Sequence, residues 1–319
     1  MARSVWLTIL VLIGVLGTAI YGALEHYKFE LYQAAMHARA EQARMSTHHI
    51  QVGEFNVAYL ENDLRDKKPT LLMVHGFGAS KENWLDLAIQ LKDDFHMIAV
   101  DLPGHGETTQ LKDKSYDLDA QVQRLHAFMA AIGIQHFSII GNSMGGGITA
   151  LYAGTYPDQI QSAILLDPAG ITDVKSEYQR YLDEGRNPLI VRSPQDFDYL
   201  LSFVAARKPF IPWPLTEVST EKMIRRSAMN AQIFKDITGA HEYDFKQAIT
   251  RITAPTLVGW GDQDRVLAPG NAKIFQQLIP HSKIQLFTQV GHVPMLEVPA
   301  KCAQVVKDFI RQAGKIAAR

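Results

Sequence analysis

Seven residues, GNSMGGG at positions 141–147, set one serine among four glycines directly after the apolar run FSII. Glycine loses more freedom on ordering than any other residue, so glycine this dense weakens a strand or a helix. A chain keeps it where the backbone must turn sharply with no room for side chains. Ser143 is therefore expected on a strained turn between a strand over 137–141 and a helix opening at Met144, its hydroxyl exposed above a sheet.

The remaining pattern can be asked whether it builds that sheet. HHIQV and FNVAYLE, joined through Gly53 and Glu54, read as an antiparallel hairpin. The runs at 70–75 and 96–101 are apolar between their polar ends, as strands buried on both faces require, and those at 137–141, 162–167, 255–261 and 283–287 repeat the signature more loosely. Helix-forming stretches such as 118–132 and 270–278 lie between them. This alternation predicts an α/β fold, a mostly parallel central sheet with helices on both faces. From Pro168 to Phe245 the strand runs stop, and helix formers and aromatics take their place. A helical cap is expected there, over the C-terminal edge of the sheet where open α/β folds bind ligands. Residues 46–167 and 246–319 would then form the core and 168–245 the cap.

Residues 4–24 carry no charge, with Arg3 just before them and Trp6 and Tyr21 near the ends. That length suits a membrane-spanning helix, which needs roughly 20 residues, and aromatic rings favour the interface. A secretory signal has a shorter apolar core, about 7–15 residues, although Gly17-Thr18-Ala19 offers a weak cleavage site. An uncleaved N-terminal anchor over residues 1–24 is expected, with the domain outside the cytoplasm; secretion after cleavage is the alternative. Residues 25–45 are polar and helix-prone, and read as a stalk. Lys and Arg total 32 against 33 Asp and Glu, a net charge of −1, which leaves no basic stripe for nucleic acid. Cys302 is the single cysteine, so the chain has neither an internal disulfide nor a CxxC site.

A serine hydroxyl is a weak nucleophile; it needs a base, and the base needs an orienting acid. His292, in QVGHVPMLEVP, follows the last strand run on a loop led by glycine and is the expected base. His48 and His49 start the first strand, His26 and His37 lie in the stalk, His126 belongs to a helix, and His241 reads as surface. For the acid, Asp264 and Asp262 share the loop GDQDRVL, and Asp167 ends the strand over 162–167. Asp264 lies furthest into its loop and is followed by Val266 and Leu267, which would anchor it. Asp262 is expected to cap the loop through its own backbone. The oxyanion donors are expected to be the amides of Met144 and of Phe77, in HGFGAS. His75 is expected to support that loop.

HGFGASKENW, DLPGHGETT, GNSMGGG, GDQDRVL and GHVPMLE, in this order, resemble the α/β-hydrolase superfamily from Thr47 to the C-terminus. With the apolar N-terminus, LLDPAG and RKPFIPWP, the chain is similar to bacterial lipases related to membrane-anchored monoacylglycerol lipases. The resemblance implies hydrolysis of acylglycerols or other fatty-acyl esters at a membrane or lipid interface, with no cofactor, no metal and no obligate protein partner. The acyl chain would lie under the cap against Phe203, Phe210 and Trp213. C–C bond hydrolases of ring-cleavage products carry a GNSMGG-like elbow too and are the rival, beside small-ester carboxylesterases. A binding module that has lost its triad is disfavoured, because all three residues are present.

Overall fold

The computed structural model of the protein describes residues 2–239 and 242–317. Its centre is an eight-stranded sheet: β1 (Met45–Val52), β2 (Phe55–Asn62), β3 (Thr70–Val74), β4 (His96–Val100), β5 (Phe137–Asn142), β6 (Ile160–Leu166), β7 (Thr256–Gly261) and β8 (Lys283–Phe287). The order across the sheet is β1-β2-β4-β3-β5-β6-β7-β8, and β2 alone runs antiparallel to its neighbours. The expected parallel sheet is therefore present, with the hairpin at its edge.

Thirteen α-helices are described: α1 (Ala2–His26), α2 (Lys28–Gln42), α3 (Leu85–Leu91), α4 (Leu118–Ala131), α5 (Met144–Thr155), α6 (Glu177–Asp183), α7 (Pro194–Val204), α8 (Leu215–Arg225), α9 (Ser227–Thr238), α10 (Glu242–Ile249), α11 (Asn271–Leu278), α12 (Pro294–Glu297) and α13 (Pro299–Ala317). Along β3, Leu71 and Met73 pack with α3 and α13 on one face, while Leu72 and Val74 pack with α4 and α5 on the other. Side chains alternate across a strand, so a strand covered on both faces must be apolar at every position. That is why β3 is apolar from Leu71 to Val74, and each such side chain contributes roughly 1.5–3 kcal/mol by leaving water.

Helices α6–α9 cover the region between β6 and α10, with no strand among the described residues. Helix α10 runs across position 245 and packs on α5, where Ala248 and Ile249 lie against Gly154. His241 lies outside the described residues. Helix α1 has 25 residues and exposes Leu7, Leu10, Val11, Leu12, Ile13 and Leu16 to solvent. It is the single described helix long and apolar enough to cross a membrane.

The expected stalk, in contrast, does not stand free. Lys28 bridges Glu25 and Glu221 at 3.0 and 2.5 Å. The Arg225 guanidinium lies 5.1 Å from the Phe29 ring and the Lys222 ammonium 4.8 Å from that of Tyr32. Arg39 pairs with Asp86, and Ala40 and Ala43 are buried. Helix α2 is thus docked on the cap helix α8 and on α3. A polar composition reads as solvated, but cations here stack on rings and pair with partners far along the chain.

Candidate active site

The turn between β5 and α5 is as tight as its glycines suggest. Ser143 has φ 57° and ψ −121°, a conformation that non-glycine residues rarely adopt. Its amide donates to Leu166 O at 3.0 Å, and its carbonyl accepts from Gly147 and Ala169, so hydrogen bonds on both sides hold the strained backbone. A Cβ on Gly145 would lie 2.1 Å from Val74 O and 2.4 Å from His75 O; one on Gly141 would lie 2.1 Å from Gly145 O. Gly145→Ala should destabilise the fold by about 3 kcal/mol or prevent folding. Gly314, which has open space around it in α13, should accept alanine with a gain of about 1 kcal/mol. Thermal unfolding of the two variants checks the contrast.

His292 and Asp264 meet on neighbouring loops after β8 and β7. The His292 Nδ1 lies 2.8 Å from Asp264 Oδ2, and both side chains are buried. Asp264 is saturated with donors: Trp260 Nε1 reaches Oδ2 at 3.1 Å, while the amides of Val266 and Leu267 reach Oδ1 at 2.8 and 3.1 Å. The imidazole thus donates from Nδ1 and leaves Nε2 free to act as an acceptor. The loop of His292 is pinned through its backbone. Its amide donates to Val204 O at 2.7 Å, its carbonyl accepts from Asn142 Nδ2 at 2.9 Å, and Glu297 accepts from the amides of Gly291 and Ala206. Asn142 and Glu297 went unnoticed in the sequence. Asn142 sits beside the serine, where only its partner 150 positions away reveals its purpose.

Asp262 is exposed and accepts from the Gln289 amide at 2.7 Å, so it ties its loop to the next one rather than capping its own backbone. Asp167 is buried beside Asp264: these two carboxyls and the His292 imidazole each bring one ring-nitrogen or carboxyl-oxygen atom within 4.8 Å of the others. His75 accepts from the Leu102 amide through Nε2 and donates to Gly76 O through Nδ1, which fixes the HGFGAS loop, and burial pushes its pKa down. On that loop Gly76 faces Ser143, where a Cβ would touch the Ser143 Cβ at 3.1 Å. The amides of Phe77 and Met144 have no acceptor among the described residues. Met144 opens α5, so its N–H is one that no helical carbonyl can satisfy, and the helix end there is partly positive.

The expected pocket residues part company. Phe203 is buried against Tyr178 and Val266, with Leu189, Phe234 and Leu267 around them, and Phe234 meets the Phe77 ring at 5.9 Å. Phe210 is 91% exposed to solvent; Trp213 is 40% exposed, its indole donating to Glu217 at 3.1 Å. An aromatic-rich stretch does not say which of its rings turn inward, and in 207–214 three prolines (Pro209, Pro212, Pro214) keep the chain from winding into a helix that would bury one face.

A family model described as the alpha/beta hydrolase fold matches residues 69–299. This chain belongs to the α/β-hydrolase family. Lipase 3 of Moraxella sp. (strain TA144) is 35% identical over 257 residues, 79% of this chain and 80% of that protein. Monoacylglycerol lipase ABHD6 of Bos taurus is 29% identical, covering 83% of this chain and 82% of its own length. The crystal structure of a membrane phospholipase A, called a bacterial virulence factor, superposes with a TM-score of 0.86 at 37% identity, over 96% of this chain and 99% of the other. Meta-cleavage product hydrolases also superpose, with TM-scores of 0.70–0.71 at 20–21% identity, a likeness of fold alone.

Proposed function

We propose that this α/β hydrolase is a membrane-tethered lipase in which Ser143, His292 and Asp264 form the catalytic triad and the amides of Phe77 and Met144 the oxyanion hole. It is a carboxylic ester hydrolase. The observation that carries the reading is the buried Asp264–His292 pair at 2.8 Å, set on the same sheet edge as a serine strained at a helix N-terminus. Ser143 attacks the ester carbonyl as His292 takes its proton; the two amides hold the oxyanion. His292 then protonates the departing alcohol, and water hydrolyses the acyl-enzyme by the same route. The acyl chain lies against the Phe203, Phe234 and Leu267 cluster. The glycerol ester delivered there is a partial acylglycerol, as the names of the lipase relatives suggest. A phospholipid is the second reading, favoured by the likeness to the membrane phospholipase.

The membrane side of the reading rests on where the apolar surface lies. Helix α1 is uncleaved and spans the bilayer, N-terminus inside and domain outside. Its continuation α2 is fastened to the C-terminal half of α8 through Glu221, Lys222 and Arg225. The segment 207–214 leads into the other end of this 11-residue helix, about 16 Å away. It holds Phe210 and Trp213 out beside Arg207 and beside Lys208, which pairs with Asp198, a mix of apolar rings and cations that suits an anionic lipid surface.

Fatty-acid release from vesicles carrying monoacylglycerol or phospholipid, set against hydrolysis of a short soluble ester, tests both parts. Changing Phe210 and Trp213 together to Ser should lower vesicle rates about tenfold or more, since each large side chain leaving water contributes roughly 1.5–3 kcal/mol, and leave the soluble ester untouched. Wild-type protein that cleaves the soluble ester and releases no fatty acid from either vesicle would remove the lipid reading and bring the small-ester and C–C alternatives forward.

A further inference from the structure

Asp167, the first residue after β6 as the chain turns toward the cap, is a buried acid that the triad chemistry leaves unused. It is 0% exposed and sits at φ 46°. Its Oδ1 accepts from the Gly261 amide at 2.9 Å, while its Oδ2 is enclosed and meets no nitrogen donor. The group beside it is Asp264.

Two carboxylates whose oxygens lie within 4.8 Å, away from water and without a cation between them, strongly oppose both being ionised. The donors decide which keeps its charge. Asp264 receives four N–H groups, from Trp260, Val266, Leu267 and His292, and each favours the anion. Asp167 receives one. The proton therefore belongs on the oxygen that no N–H approaches, Oδ2 of Asp167, and from there it is offered to Asp264.

We propose that Asp167 is a positioning residue that keeps its proton and donates a hydrogen bond to Asp264, holding that carboxylate square to His292 and moderating its basicity. The proposal rests on the triad reading above. The surroundings agree with it. Burial and the Asp264 charge both push the Asp167 pKa well above the usual carboxylate range. The other titratable groups facing it are His292, Glu297, whose pKa burial also raises, and the Cys302 thiol of α13, likewise raised. None supplies a compensating cation other than the imidazolium that forms during turnover.

The arrangement separates donor from charge. Asn at position 167 keeps an N–H donor, stays neutral and tolerates a positive φ. Asp167→Asn should retain kcat/KM on a soluble ester within about threefold, with its acidic pH limb unmoved. Asp167→Ala removes the donor; kcat should fall about tenfold, the scale of a hydrogen bond to a charged group. Its acidic limb should move up in pH, because a less stabilised Asp264 anion holds the imidazolium more tightly. Asparagine as damaging as Asp264→Asn would overturn the proposal, for Asp167 would then act as an anion. Alanine with wild-type kcat and pH limb would overturn it as well.

If alanine does not fold at this strained position, infrared difference spectra of wild type against Asp167→Asn at pH 7 decide. The carbonyl band of a protonated carboxylic acid should be present in wild type and missing in the variant, and its absence from wild type ends the proposal. That spectrum needs no substrate, so a failed triad reading and a failed Asp167 reading are distinguishable.

Discussion

Ser143→Ala should give a folded protein whose turnover of any ester falls by about 10⁴- to 10⁶-fold, the range that loss of a serine nucleophile produces when its base and oxyanion donors survive. Alanine keeps the Cβ, so the φ of 57° is as strained in the variant as in the native turn, and its melting temperature should stay within a degree or two of wild type. Ser143→Gly makes the complementary case. Activity should disappear equally, but glycine adopts positive φ freely, and the fold should gain about 1 kcal/mol. Rate measurements and thermal unfolding on the same two variants thus separate the hydroxyl from the strain that presents it. Near-normal turnover in either variant would end the assignment of the nucleophile. Equal melting temperatures in the two would show that the turn stores no strain.

The contrast explains which parts of the molecule could be read from the chain. Strands packed on both faces leave a signal at every position, and a turn too crowded for a Cβ leaves glycines, so the sheet and the elbow at Ser143 were visible as local patterns. Asp264 and His292 were visible because each follows a strand run, and the C-terminal ends of parallel strands converge on one edge. Features that depend on distant partners were hidden. The docking of α2 relies on Glu221, Lys222 and Arg225, nearly two hundred positions away. Phe203 and Phe210 sit seven residues apart in one aromatic stretch, yet one is buried and the other is solvent-facing, because only the first belongs to a helix with the cap core beneath it. Asp167 and Asp264 look interchangeable as sequence; four N–H donors against one distinguish them in space.

The same count of donors makes Asp264→Asn the most discriminating change in the orienting pair. An asparagine has one oxygen to offer where the aspartate serves four donors. If that oxygen stays with the Val266 and Leu267 amides, the side-chain NH₂ faces Trp260 Nε1 and His292 Nδ1. The imidazole must then accept at Nδ1 and carry its proton on Nε2, the nitrogen that should take the proton of Ser143. Turnover should fall about 10⁴-fold through the wrong tautomer. The Trp260 indole, left without its acceptor on Asp264 but still 3.1 Å from Leu267 O, keeps one partner, so the stability loss should stay at about 1–3 kcal/mol. Rates below the melting transition will therefore report chemistry and not unfolding. Asp262→Asn is the control: it is solvent-facing, its one side-chain bond goes to the Gln289 amide, and an asparagine oxygen can keep that bond, so activity should stay within about threefold of wild type. A crippled Asp262→Asn beside an active Asp264→Asn would transfer the orienting role to the outer aspartate and require the β7 loop to close differently on the substrate. The buried 2.8 Å contact makes the opposite outcome the expected one.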